Sequence, residues 1–160
     1  MKFSGNVQTL KSWHGDLLII GILEDNNKQE LKLLEDRYGD SLTKHLSKQK
    51  FSGKPGQIST FNLAHKLPEQ MLCVVGLGQS TQLDLESLRK AASIAARASS
   101  GIEGKIGVIF PWKSFDQTKA VQAFAEAMRL SIFKDQRFRS KPDSHIFPSE
   151  IEIIGIEDIP

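Results

Sequence analysis

A single cysteine, Cys73, stands in 160 residues, so no internal disulfide can form. It lies in the apolar run Met71-Leu72-Cys73-Val74-Val75-Gly76-Leu77-Gly78, where a thiol reads as a small buried hydrophobe. A reactive thiol needs a neighbouring cation or a helix N-terminus, and neither stands beside it. Long hydrophobic runs are lacking too. The longest, Leu17 to Leu23, is bounded by Asp16 and Glu24 and is far too short to span a bilayer. The N-terminus has no basic-then-apolar leader. Neither sign of charge dominates: 21 basic against 19 acidic residues give a formal net charge of +2, which is no footprint for nucleic acid. These absences fit a reducing compartment, so the expected location is cytoplasmic, with no membrane partner.

What is present is ordinary for a soluble domain: 39% apolar and 25% charged residues, in a length suited to one core. Met1 to Thr9 alternates weakly, as an edge strand does. Leu17 to Leu23 is continuously apolar and rich in β-branched residues, the pattern of a strand covered on both faces. Leu31, Leu34, Tyr38, Leu42 and Leu46 form a helical stripe. Gly39-Asp40-Ser41 predicts a break in it, with Asp40 or Ser41 capping a second short helix. Phe51 to Gln57 reads as a loop. Ile58 to Leu63 and Met71 to Leu77 read as strands, and the short connection between them favours an antiparallel pair. Leu85 to Ala98 is a helix with small alanines on its inner face, ended by Gly101 and Gly104. Lys105 to Phe110 is a strand, Thr118 to Phe133 a helix, Asp135 to Ser149 an exposed loop and Ile151 to Ile156 a final strand. The expected fold class is α/β, a three-layer mixed sheet flanked by helices. The end at Pro160, directly after a strand, suggests a segment of something longer.

The search for chemistry returns little. Val75-Gly76-Leu77-Gly78 lacks the third glycine of a dinucleotide fingerprint, and the next helix begins too late to meet a phosphate. Gly53-Lys54-Pro55-Gly56 is too short for a P-loop. His14, His45, His65 and His145 are scattered without metal-site spacing. The acid pairs Glu24-Asp25, Glu35-Asp36 and Glu157-Asp158 fall in loops or on solvated faces. Ser12, Ser41, Ser47, Ser52, Ser59 and Ser93 lack a nucleophile-elbow context. Lys134, Arg137, Arg139 and Lys141 form a basic cluster that reads as a solvated helix end. No catalytic, cofactor-binding or metal residue is expected.

Five stretches, in order, resemble the N-terminal domain of the leucyl aminopeptidase (cytosol aminopeptidase) family. Phe51-Ser52-Gly53-Lys54-Pro55-Gly56 is similar to its F-x-G-K-x-G loop, and Val74-Val75-Gly76-Leu77-Gly78 to its VGLG strand end. Leu88-Arg89-Lys90-Ala91-Ala92, Ala125-Glu126-Ala127-Met128-Arg129-Leu130 and Phe138-Arg139-Ser140-Lys141 resemble later stretches. Gln57 stands where the family often has Glu, Ala127 where it usually has Gly, and Phe138 where it usually has Tyr.

The resemblance implies a macro-domain-like fold over residues 1–160, a single non-catalytic N-terminal domain without the catalytic C-terminal domain. It implies hexameric parent enzymes that remove N-terminal residues from peptides, using two divalent metals (zinc, manganese or magnesium) held in that C-terminal domain. The metal-ligand signature, an N-T-D-A-E-G-R-L-type stretch, is absent here. The expected partners are the catalytic domain of the same parent chain, further copies in a homo-hexamer and the parent's peptide substrates. Two other readings stand beside this one: a nucleotide or ADP-ribose binding module, and nucleic-acid binding through the Lys134 to Lys141 cluster.

Overall fold

The computed structural model describes residues 1–6, 13–63, 71–137 and 147–155. Six strands form one sheet: β1 (Lys2–Asn6), β2 (Leu17–Leu23), β3 (Ile58–Asn62), β4 (Met71–Gly78), β5 (Lys105–Ile109) and β6 (Glu150–Ile154). Their order is β1-β6-β5-β2-β4-β3. Every neighbouring pair is parallel except β3 with β4, the antiparallel pair expected from their short connection. Four helices complete the described chain: α1 (Lys28–Tyr38), α2 (Asp40–Lys48), α3 (Leu85–Ala98) and α4 (Gln117–Arg137).

The sheet is sandwiched because its central strands are apolar on both sides. All seven residues of β2 are buried. Leu17, Ile19 and Leu23 face α3 and α4 together with Cys73, Val75, Val108 and Ile153. Leu18, Ile20 and Ile22 turn the other way, toward Leu34, Leu42 and Leu46 of α1 and α2. Each fully buried Leu, Ile or Phe contributes roughly 1.5–3 kcal/mol. Alanines at 91, 92, 95 and 96 are buried on α3, and they let it pack closely against α4 and the sheet.

Local signals set most element ends. Asp84 caps α3 with a reciprocal box: its carboxylate accepts from the Ser87 N–H at 2.8 Å, while the Ser87 hydroxyl accepts from the Asp84 N–H at 3.3 Å. Asp116 accepts from the Lys119 N–H at 3.2 Å at the start of α4. The chain does break near Gly39, but neither Asp40 nor Ser41 caps α2. Gly39 holds the N-cap position at φ 85° with no side-chain bond, and Asp40 pairs instead with Lys44 one turn on, at 3.3 Å. α4 also runs to Arg137, so Asp135 to Arg137 belong to the helix rather than to the predicted loop. The remainder of that loop up to residue 146 lies outside the described residues, as do residues 7–12, where the first predicted strand would have continued.

Candidate functional site

In doubly wound sheets ligands bind outside the carboxyl ends of strands, where successive connections leave to opposite faces. Here that place lies beside β2: the chain leaves β2 toward α1 on one face and leaves β4 toward α3 on the other. The crevice between β2 and β4 is filled by the chain itself. The loop 51–57 folds over both strand ends. The Gly53 carbonyl accepts from the Gly78 N–H at 2.8 Å, the Gln57 carbonyl from the Gly76 N–H at 2.8 Å, and the Gly78 carbonyl from the Glu24 N–H at 2.9 Å. Two glycines make the approach possible. A Cβ on Gly76 would lie 2.1 Å from the Lys54 carbonyl oxygen, and one on Gly53 would lie 2.8 Å from the Leu23 carbonyl.

Gln57 organises this loop from within. Its Oε1 accepts from the N–H groups of Ser52 and Lys54, both at 3.0 Å, and from the Ser52 hydroxyl at 3.3 Å. Its Nε2 donates to the Lys50 carbonyl at 3.4 Å. Converging backbone N–H groups form the kind of concavity that holds anions. In this loop the chain's own amide oxygen sits there. Beside it, Asp25 fastens the turn after β4, accepting from the Ser80 N–H at 2.8 Å and from the Ser80 hydroxyl at 2.6 Å. Those bonds hold the Asp25 carboxyl below the usual carboxylate range. The start of α3 is likewise occupied by its own Asp84.

The other sequence candidates do not gather. His14 and His45 are exposed, and His45 meets Gln49 and the edge of Phe61. His65 and His145 lie outside the described residues, with Ser12, Glu157 and Asp158. Ser47 and Ser93 donate to the carbonyls of Thr43 and Arg89, and Ser59 donates to Gln49. Cys73 is fully buried, and burial pushes its thiol up to about 12. The side chains of Lys134, Arg137, Arg139 and Lys141 are outside the described residues. Among the described residues no three His, Cys, Asp or Glu side chains come together in a way that could hold a metal ion.

Sequence reasoning missed one buried polar cluster. Glu152, only 8% exposed, accepts from Trp13 Nε1 at 2.9 Å and pairs with Lys105 Nζ at 2.8 Å. The hydrogen bond to Glu152 raises the Lys105 pKa. Trp13 lies over Gly107, where a Cβ would come within 2.7 Å of the indole. The available signal was a lone carboxylate in the otherwise apolar run Ile151-Glu152-Ile153.

Fold and strand-end geometry define a three-layer α/β domain of macro-domain type, with the loop 51–57 folded over the ends of β2 and β4. Residues 19–142 match the model of the cytosol aminopeptidase family, N-terminal domain, and the chain belongs to that family. A probable cytosol aminopeptidase of Prochlorococcus marinus (strain MIT 9313) is 43% identical over 150 residues, 94% of this chain and 30% of that protein. Another from Synechococcus sp. (strain CC9311) is 38% identical, with 91% of this chain covered and 29% of the relative. The chain thus spans under a third of the length of these curated relatives. Among solved structures, a mutant of tomato leucine aminopeptidase superposes with a TM-score of 0.76 at 24% identity, over 100% of this chain and 33% of that one. The macrodomain of Thermus aquaticus DarG gives a TM-score of 0.59 at 8% identity, over 95% of this chain and 97% of its own. At such identities these two likenesses speak for the fold alone.

Proposed function

We propose that this chain is a non-catalytic domain of a cytoplasmic leucyl aminopeptidase, serving in packing, assembly or control of access to an active site carried elsewhere in the parent. The single observation behind the reading is the family match over residues 19–142 in a chain that spans only about 30% of its relatives. No helix among the described residues is long and apolar enough to cross a membrane. In this reading the parent removes N-terminal residues from peptides. When bound, its two divalent metals, manganese or zinc, lower the pKa of a water and polarise the scissile carbonyl. They belong to the other domain, as does every step of the reaction. What this chain's own residues do is hold a rigid α/β block, with the β2/β4 crevice closed by Gly53 and Gly76.

The test compares the purified 160-residue chain with the full-length parent on a leucine amide substrate with added manganese. The expected result is turnover by the parent and none by the chain. Metal-dependent hydrolysis by the chain alone would overturn the reading.

A further inference from the structure

We infer that a groove beside α4 holds the stretch of the parent chain immediately after residue 160. The occupant is a helix with one apolar stripe, and its presence rests on the proposal that a catalytic domain follows. The groove, of about 390 Å³, lies between α4 and the edge strand β1. Buried Val121 and half-buried Phe3 and Ala125 form its floor, and exposed Thr118, Gln122 and Arg129 its rim. Arg129 lies over the Phe3 ring at 4.9 Å. α3 packs on the opposite side of α4, where Ser131 donates to Ser93 at 2.9 Å. Toward β1 no further helix follows among the described residues. Leu130 and Phe133, 60% and 59% exposed, continue the strip toward the C-terminus of α4.

The winding of the chain names the occupant. Two crossovers fill this layer, and both step toward β1: α3 carries the chain from β4 past β2 to β5, and α4 from β5 to β6. Parallel crossovers keep one hand, so a chain that winds on from β6 in the same sense enters the layer beyond α4, over β1. The exit is placed for it. β6 ends at Ile154 opposite Asn6, and Gly155, exposed at φ 97°, turns the chain there. That is the end of the sheet at which α4 begins, and so the end at which Thr118 opens the groove. There is chain enough to fill it. Residues 19–142 match an N-terminal domain, and this chain covers only 30% of its 43%-identical relative. A helix of about sixteen residues, roughly 24 Å, would run beside α4 from Thr118 to Phe133. Its apolar stripe would cover Phe3, Ala125 and Phe133, and it would shelter the edge strand β1, which sheets commonly protect with a helix.

The test is made in the full-length parent. p-Benzoylphenylalanine incorporated at Gln122 should, on irradiation, bond to residues within roughly the first thirty after Pro160, as mass spectrometry of the digest reads. The crosslinked product should have the mass of one chain. Ala125→Cys gives a second readout: its thiol should react at least about tenfold more slowly in the parent than in the 160-residue chain. Cys73 is buried and stays silent in the folded 160-residue chain, and in the parent the peptide holding residue 125 is read by mass. Bonds to a later part of the parent, a product with the mass of two chains, or equal labelling rates overturn the inference. Leucine amide hydrolysis is measured on the same parent sample. A parent that fails to hydrolyse it removes the aminopeptidase reading, while the crosslink and labelling results still decide what fills the groove.

Discussion

The Gly78 N–H donates to the Gly53 carbonyl at 2.8 Å, which makes the loop 51–57 and the strand end 74–78 two sides of one contact. The two segments carry the resemblance most visibly. Their glycines answer a steric demand, since the backbone of one segment occupies the space where a side chain of the other would go.

Gly76→Ala should be among the most damaging single changes in the chain. Its methyl would sit 2.1 Å from the Lys54 carbonyl oxygen, in a layer where neither backbone can retreat. A loss of about 3 kcal/mol or more is expected in urea melts, of the size that overpacking reaches when nothing relaxes. Gly56→Ala is the control. With φ at 84° and nothing within 4 Å, it should cost only about 1–2 kcal/mol for the left-handed backbone. Equal losses at the two positions would refute the packing account.

Gln57→Glu should stabilise the loop by about 0.5–1 kcal/mol at neutral pH. A carboxylate there would take the same three donors from Ser52 and Lys54 as charge-assisted bonds, at the expense of the long bond to Lys50. A carboxylate stabilised by folding gives up its contribution as pH falls, so the gain should fade below about pH 4. Thermal melts of both proteins across pH 3 to 7 would check size and sign together.

Asp25 and Asp84 carry part of the acid sensitivity. Both carboxyls are held below their ordinary value of 3.8, Asp25 by Ser80 and Asp84 by Ser87. Depressed carboxylates stabilise above that value and lose the contribution as pH falls through their folded pKa. Asp25→Asn should therefore flatten the decline in melting temperature below pH 4, with Ser80→Ala acting in the same direction. An acid limb as steep as the wild type's in both variants would assign the sensitivity elsewhere.

The Cys73 thiol should resist an aromatic disulfide reagent at pH 8 in the folded chain and react fully in denaturant. Burial at 0% exposure, with the thiol pushed up to about 12, removes both access and thiolate. The rate of modification in native buffer then reports opening of the sheet. Fast labelling of folded protein would contradict the placement of Cys73 on β4, facing the core beneath α3.

ADP-ribose at millimolar concentration should release no heat in calorimetry. The expectation rests on the β2/β4 crevice, where Gly53 and Gln57 of the chain itself make the bonds a bound phosphate would need. Measurable binding would mean that the 51–57 loop lifts away.

Much of the fold was legible because local chemistry and tertiary environment agree. The apolar run 17–23 could only be a strand buried on both faces, and the stripe on Leu31, Leu34, Leu42 and Leu46 could only be helical. The short link before Met71 indicated the antiparallel pair. What stayed hidden depends on contacts between distant residues. Trp13 and Glu152 meet across 139 positions, and no local pattern ties an indole to one carboxylate among nineteen acids. The cap expected of Asp40 failed because Gly39, with its positive φ, turns the chain one residue earlier. Gln57 looked like a departure from a family pattern and proves to be the residue around which the loop is bonded.

The pairing of β1 with β6 imposes an order of events on a growing polypeptide. Lys2 lies opposite Glu150 and Phe3 opposite Ile151, and among the described residues β1 pairs with no other strand. At synthesis rates of about 5–20 residues per second, the first strand waits on the order of ten to thirty seconds for its neighbour to be made. Through that interval β2, β3 and β4 can already assemble, while β1 lacks its strand partner. The opening residues of this chain are thus the last to be folded into the sheet, and a ribosome stalled before residue 150 would display them bare.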